Sequence, residues 1–149
     1  MFIPLFLCIG FFIAVLYTDL VYDISALPYR KSKSCPPREV MEPIVMYYGY
    51  ITKRPTLLVF CLLIAAMSIT CQIMFHQVTP AVGYVSAAMI GSVMLLGMLR
   101  VIPAAQRLAS RKDVEEVQAR LLRSLLPSHI IILILVLSLA LLQFNAATS

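Results

Sequence analysis

Four long apolar runs, separated by more polar segments, divide this chain of 149 residues. A helix crosses the roughly 30 Å hydrocarbon core of a bilayer with about 20 residues, and each run approaches that length. The predicted membrane spans are residues 2–23, 56–75, 81–102 and 128–145. Because the runs are continuously apolar rather than alternating, they predict transmembrane helices and not the strands of a membrane barrel.

Prolines mark the edges of three of these spans. Pro55 precedes the second span, Pro80 and Pro103 bracket the third, and Pro127 precedes the fourth. Proline suits the first turn of a helix and restricts the residue before it, so these positions predict helix limits. The fold class that follows is an all-α membrane protein, an antiparallel four-helix transmembrane bundle, with residues 1–149 forming one domain.

The second polar segment, residues 103–127, predicts an additional amphipathic helix over Ser110–Leu126. Its apolar residues recur at helical spacing, and they are Val114, Val117, Leu121 and Leu125. Asp113, followed three residues later by Glu116, is typical of a capping box at a helix start. We expect the apolar side of this helix to lie on the bundle or in the headgroup layer.

The first polar segment, residues 24–55, contains a mostly apolar stretch over Val40–Ile51. Pro36 and Pro37 precede it as a break, and Pro43 is compatible with the first turn of a short helix. This stretch predicts an interfacial or re-entrant piece rather than a plain linker.

Composition supports a membrane protein. Hydrophobic residues make up 61% of the chain and charged residues 13%, whereas an ordinary soluble chain carries about 25% charged residues. So little charge does not cover a water-exposed surface, and we expect lipid to cover much of it.

All twelve Lys and Arg residues fall within two stretches, residues 30–54 and 100–123. Basic segments beside membrane spans stay on the cytoplasmic side. The predicted localisation is therefore an integral multi-pass protein with both termini extracytoplasmic, and with the His76–Pro80 turn on that same side. Orientation and attraction to anionic lipid account for the net charge of +5, so we predict no nucleic-acid partner.

Asp19 and Asp23 are the most unusual residues, because they lie four positions apart on one face of the first span. An ionisable residue within a span is a functional candidate. Arg100, which ends the third span, and His129, which opens the fourth, belong at the same cytoplasmic level. The four side chains predict a polar cluster that holds an ion pair, binds a headgroup or positions an acid and a base. The simpler alternatives are a polar helix end, a snorkelling arginine and a first-turn histidine.

Two further patterns follow helical spacing. Ser68, Gln72 and His76 form a polar stripe in the outer half of the second span, which predicts interhelical hydrogen bonds or a polar cavity. A second set with small side chains predicts a helix-packing seam within the bundle or between two copies. That set is Gly83, Ala87 and Gly91.

Motifs for common cofactors and metals are missing from the sequence. It has no phosphate-binding glycine loop, no nucleophile elbow, no H-E-x-x-H and no C-x-x-C pair. We therefore predict no cofactor and no metal ion.

Three features follow one another in the last part of the chain: the stretch Val101–Leu108, an acidic-basic helix after it, and His129 at the start of the last span. Together they resemble the anthrone-oxygenase-like family of small four-span membrane proteins. The resemblance covers the chain from the third span onward and maps Pro103, Arg107 and His129. Family members carry Trp before the last span and Arg three positions after the mapped His129. This chain has no Trp and carries Ile132 at that position, so the resemblance implies the four-span architecture more than the oxygenase activity.

Two functional hypotheses remain. The first is a non-catalytic accessory or assembly subunit, or a scaffold, that packs against a membrane-protein partner or a second copy. The alternative is an enzyme or binder of a lipophilic small molecule or lipid headgroup at the cytoplasmic leaflet, which predicts a pocket between the first, third and fourth spans. A transporter is disfavoured, because no span combines central charges with glycine or proline breaks.

Overall fold

Helices account for nearly all of the described chain. A computed structural model describes residues 2–29, 36–53 and 55–148. Its helices are α1 (Phe2–Ser25), α2 (Arg38–Lys53), α3 (Thr56–Met74), α4 (Pro80–Leu96), α5 (Ile102–Ser110) and α6 (Glu115–Thr148). A 3-10 turn at Leu27–Tyr29 follows α1, and a π-helical turn at Gly97–Val101 joins α4 to α5. No strand occurs within these described ranges, and the predicted all-α class is confirmed.

Four helical stretches are long and apolar enough to cross a membrane. They are α1, α3, the continuous stretch Pro80–Ser110 and α6. α1 packs between α3 and α6, and α4 also lies between α3 and α6. The order around the bundle is therefore α1, α3, α4, α6, and the predicted four-helix transmembrane bundle is confirmed. The protein is an integral multi-pass membrane protein.

The third membrane helix extends beyond the predicted limit at residue 102 and continues to Ser110. A π turn makes this possible, because the N–H of Ile102 bonds to the carbonyl of Gly97, five residues back. Pro103 follows directly and has no N–H to donate. The wider turn lets the helix pass this proline instead of ending before it.

The predicted amphipathic helix and the predicted fourth span form one helix, α6, with Pro127 inside it. The fourth span is therefore not separated from the amphipathic segment at Pro127. Leu122 and Leu125 are buried before the proline, and Ile132 and Val136 after it. Burial of apolar side chains on both sides holds the two halves in line and offsets the hydrogen bond that proline removes.

Asp113 does not cap α6, contrary to the prediction. Its carboxylate accepts two hydrogen bonds from Arg107, from Nε at 3.2 Å and from Nη2 at 2.9 Å. The carbonyl of Val114 instead accepts from the N–H groups of Val117 and Gln118 at the helix start. In this pairing both partners are charged and the two bonds use both carboxylate oxygens, which favours it over a cap on neutral backbone N–H groups.

A second apolar core lies where α2, α5 and the first half of α6 meet. Its buried residues include Ile44 and Tyr48 from α2, Leu108 from α5 and Leu125 from α6. The stretch predicted to be interfacial or re-entrant is thus a helix, α2, whose apolar side packs on α5. Arg111 lies 3.9 Å from Glu42 and links the two basic segments. We call this part of the bundle the basic end. Four of the cations of the first basic segment lie outside the described residues: Arg30, Lys31, Lys33 and Arg54.

A tight turn joins α3 to α4 at the opposite end. His76 adopts a left-handed conformation with φ of 50°. The N–H of Gln77 bonds to the carbonyl of Gln72 at 2.9 Å, and that of His76 bonds to Ile73 at 3.2 Å. This hydrogen-bond pair closes a helix by the Schellman arrangement. Thr79 then caps α4 by accepting from the N–H of Val82.

The predicted small-residue seam packs inside the bundle at only one of its three positions. A Cβ added to Gly83 would lie 2.5 Å from Cγ1 of Ile73, so α3 and α4 approach closely there. Ala87 is exposed, and a Cβ at Gly91 would meet nothing within 4 Å. The residues buried on α4 are Gly83, Ser86, Ile90 and Val93. This set follows the helical repeat more closely than spacing by four does.

Candidate functional site

Two carboxylates of α1 point into the protein near the basic end. Asp19 is 7% exposed and Asp23 3% exposed. They lie one helical turn apart, on the same face as the buried residues Phe12 and Leu16. Buried carboxylates require hydrogen-bond donors or positive partners, and both kinds of group are present.

His129 of α6 lies between the two carboxylates and is 1% exposed. Its Nδ1 lies 2.6 Å from Oδ2 of Asp23, and its Nε2 lies 3.7 Å from Oδ2 of Asp19. An ionised carboxylate only accepts hydrogen bonds, so with Asp23 ionised Nδ1 carries the hydrogen of the short bond. The Nε2 lone pair is then left to face whatever lies beside the ring.

Two adjacent tyrosines of α2 complete the cluster. The hydroxyl of Tyr47 donates to Oδ1 of Asp19 at 2.8 Å, and that of Tyr48 donates to Oδ1 of Asp23 at 2.7 Å. Tyr22 stacks on Tyr47 with ring centroids 4.3 Å apart. The ring of Tyr48 lies parallel to that of His129, 6.3 Å away. These contacts fix the hydroxyls on the carboxylates.

The tyrosines are permanent donors at physiological pH. Burial raises the pKa of Tyr48 far above its ordinary value, and the nearby carboxylates of Asp23 and Asp19 raise it further. Burial followed by the charge of Asp19 raises the pKa of Tyr47 in the same way. A phenolate beside a carboxylate would place two negative charges together in a poorly hydrated site.

Asp19, Asp23 and His129 therefore form one compact polar unit. Each carboxylate has a tyrosine donor on one oxygen and the imidazole on the other side. Such a unit can accept a proton from a neighbouring molecule and return it, which is the chemistry of a general acid and base.

A cavity of about 130 Å³ lies beside this unit, inside the bundle. Its polar lining side chains are Asp19, Tyr48, Thr52 and His129. The rest of its wall is apolar and includes Leu16, Leu62, Val93 and Ile132. The predicted pocket between the first, third and fourth spans is thus present, and α2 and α3 line it as well. An apolar protein cavity of about 150 Å³ holds one benzene ring, so this cavity has room for one ring or a similarly small group.

Nε2 of His129 is fully buried and has no hydrogen-bond partner among the described residues. A buried polar atom without a partner is costly, and its presence calls for an explanation. His129 lines the cavity, so a ligand there would lie next to the residue that carries this nitrogen.

A second, much smaller cavity lies on the other side of Asp23. Its volume is about 20 Å³, and Ala26, Leu27, Arg123 and Leu126 are among the residues that line it. This volume matches a single water molecule. Asp23 thus stands between a water-sized pocket at the basic end and the imidazole that faces the larger cavity.

Arg100 does not join the cluster. It lies in the π turn, where Met98, Leu99 and Arg100 are all exposed, so this stretch directs its side chains away from the bundle. The structure brings Asp19, Asp23 and His129 together and leaves Arg100 on the outer surface. Snorkelling is the behaviour that fits this position.

The outer-half polar stripe also divides. Ser68 and Gln72 are buried, whereas His76 is exposed in the turn. Two polar residues outside the predicted stripe are buried in the same half. Nε2 of Gln143 donates to Oγ of Ser86 at 2.8 Å. Both polar side-chain atoms of Gln72 lack partners within the described ranges.

Tyr47 and Tyr48 were not predicted as site residues. Their adjacency within an apolar stretch was visible in the sequence, but only the packing of α2 beside α1 shows that they reach the carboxylates. The sequence offered one signal for these site residues. Two neighbouring tyrosine hydroxyls lie in the segment that follows a membrane span with two carboxylates.

No group of three or more His, Cys, Asp or Glu side chains among the described residues is arranged to hold a metal ion.

Comparisons with known proteins identify no relative: no protein-family model, curated protein or solved structure matches the chain.

Proposed function

We propose that this protein binds a small, mainly apolar molecule in the cavity beside His129, and that His129 exchanges a proton with that molecule's polar group. The observation that carries the proposal is the orientation of the imidazole. Asp23 holds Nδ1. Nε2 has no hydrogen-bond partner within the described residues, and His129 lines the cavity. The ligand-binding hypothesis therefore has more support than the scaffold.

The proposed chemistry uses each member of the cluster. Nε2 accepts a proton from a weakly acidic group of the ligand, and the carboxylate of Asp23 stabilises the imidazolium that forms. Asp23 orients His129, as the third member of a triad does for its base, and Tyr48 in turn keeps Asp23 oriented. Asp19, 3.7 Å from Nε2, stabilises the same positive charge and lines the cavity beside the transferred proton.

The polarity of the wall indicates the class of ligand. The apolar surface favours a ring or short hydrocarbon group, and the few convergent polar groups favour one hydroxyl or carbonyl. We further propose that the basic end faces the cytoplasm, or the matrix in a mitochondrial inner membrane, since cations beside spans stay on that side.

Fluorine NMR with para-fluorophenol tests the proposal. This probe has one ring and one weakly acidic hydroxyl, and the shift of its fluorine reports both binding and loss of the hydroxyl proton. We expect saturable binding by the purified protein in lipid nanodiscs. His129→Asn places an amide nitrogen where Nδ1 lies and removes Nε2, the proposed acceptor, so affinity should fall about tenfold or more.

The matched control is His76→Asn, the same substitution at the exposed histidine, which should leave binding unchanged. Thermal unfolding of each variant separates loss of the site from loss of the fold. Equal binding by wild type and folded His129→Asn would remove His129 from the function. No binding by wild type, together with recovery of a stoichiometric membrane partner, would favour the accessory-subunit hypothesis.

A further inference from the structure

A groove on the outer surface of the bundle runs up to the cavity. It has a volume of about 250 Å³ and lies between α1, the end of α2 and the start of α3. Its lining residues are Phe11, Val15, Tyr50, Ile51, Leu57 and Leu58. Val15, Ile51 and Leu58 also line the cavity beside His129. The two spaces therefore share a wall of three side chains and adjoin each other.

The groove opens toward lipid. Leu57 is 57% exposed and lies in the first turns of α3, and Val15 lies one turn before Asp19 on α1. Both helices are membrane spans, so the mouth of the groove lies within the leaflet at the basic end. Except for the hydroxyl of Tyr50, its lining side chains are hydrocarbon, which matches an acyl or alkyl chain and not a polar solute.

The sizes of the spaces decide how a ligand reaches the site. From the aqueous side, the approach to Asp23 offers about 20 Å³, which admits a single water molecule. From the lipid side, the groove offers about 250 Å³ beside the cavity. Of these two spaces, the groove on the lipid side is the one with room for a ring or a chain.

Resting on the proposed function, we propose that the ligand is a membrane-dissolved amphiphile. Its compact polar head occupies the cavity beside His129, and its single hydrocarbon chain lies in the groove between α1, α2 and α3 and continues into the leaflet. The chain gains little from leaving lipid, because lipid is as apolar as the groove. Its role is to hold the molecule in the leaflet and to align the head with Nε2.

Site-specific fluorescence quenching tests where the chain lies, and the absence of tryptophan from the sequence makes single reporters possible. Leu57→Trp places an indole in the groove mouth. Leu95→Trp is the matched control, since Leu95 of α4 is also a lipid-facing leucine in the half of the bundle near the basic end and is 61% exposed. The probe is para-octylphenol brominated at the end of its chain, because bromine quenches an indole that it contacts.

We expect the fluorescence of Leu57→Trp in nanodiscs to be quenched saturably by the probe. The control Leu95→Trp measures quenching by random collisions in the bilayer. Quenching of Leu57→Trp should be half-complete at a mole fraction of probe at least about tenfold lower than in this control. Adding His129→Asn should return the Leu57→Trp curve to the collisional one, because the head loses its anchor. Tyr50→Trp, an aromatic exchange on the other side of the groove, serves as a second reporter if Leu57→Trp does not fold.

The outcomes separate this inference from the proposed function. If the brominated probe displaces para-fluorophenol from wild type but quenches both reporters with the same linear dependence, the head binds and the groove is not the path of the chain. If wild type binds no para-fluorophenol at all, the proposed function fails, and the amphiphile proposal fails with it.

Discussion

Asp23 and His129, separated by 106 positions in the chain, are joined by a 2.6 Å hydrogen bond between Oδ2 and Nδ1. The bond ties the end of the first membrane helix to the middle of the last one. Neither side chain is exposed beyond 1%. The pair therefore bears on both the stability of the bundle and the chemistry of its cavity.

Asp23→Ala should lower the free energy of unfolding by about 3–5 kcal/mol, because it leaves a buried imidazole and the Tyr48 hydroxyl without their partner. Asp113→Ala removes a carboxylate from a partly exposed bidentate pair with Arg107 and should cost about 1 kcal/mol or less. Reversible unfolding in mixed micelles measures both variants. Equal losses would show that burial does not determine the energetics of the Asp23 pair.

Alkaline pH should destabilise the protein through Tyr47 and Tyr48. An unfolded tyrosine loses its proton near pH 10, whereas burial and the neighbouring carboxylates raise the pKa of both tyrosines in the fold. Above about pH 10 the unfolded state then binds fewer protons than the folded state, so stability falls as pH rises. This contribution is fully present below that pH.

To test this prediction, the free energy of unfolding is measured as a function of pH for wild type and for the double variant Tyr47→Phe and Tyr48→Phe. The double variant starts lower, because it lacks two hydrogen bonds, but its stability should decline more slowly above about pH 10. Identical slopes would contradict the predicted retention of the two protons.

Gly83→Ala and Gly91→Ala should act in opposite directions. The added methyl at Gly83 meets Cγ1 of Ile73 at 2.5 Å, and overpacking of this kind costs about 1–3 kcal/mol. At Gly91 the methyl meets nothing within 4 Å, and the higher helix propensity of alanine should stabilise α4 by up to about 1 kcal/mol. Thermal unfolding of the two variants checks the order, and destabilisation at Gly91 would indicate a close neighbour there.

Gln72→Leu should leave stability unchanged or raise it by about 1 kcal/mol, because Gln72 has no hydrogen-bond partner in the described part of the chain. Gln143→Leu should lower stability by about 1 kcal/mol, since it breaks the bond to Ser86. The same unfolding assay compares them. A larger loss at Gln72 than at Gln143 would reveal a bound water or other partner at that position.

Sequence reasoning placed Asp19, Asp23 and His129 at one level of the bundle, because depth along a membrane helix follows from residue number. It did not separate them from Arg100, which lies at the same level. Depth is one coordinate, and the direction in which a side chain points is another. The π turn at Gly97–Val101 sets that direction for Arg100, and it has no signal in the hydrophobic pattern.

The same limit explains the missed tyrosines and the joined helices. Tyr48 reaches Asp23 because α2 packs on α5 and beside α1, a contact between segments that hydrophobic periodicity does not specify. Pro127 was expected to separate two helices, but buried side chains on both sides of it keep α6 continuous. Local preferences for ending a helix are weaker than the burial gained by continuing it.

The sequence alone determined that this chain forms four helices long and apolar enough to span a membrane and that its cations flank them, because both features follow from local composition. Only the tertiary structure decided that Asp23 bonds to both Tyr48 and His129 and that these two residues line a cavity. Helix rotation and packing bring these residues together, and both depend on contacts between segments that are remote in the chain.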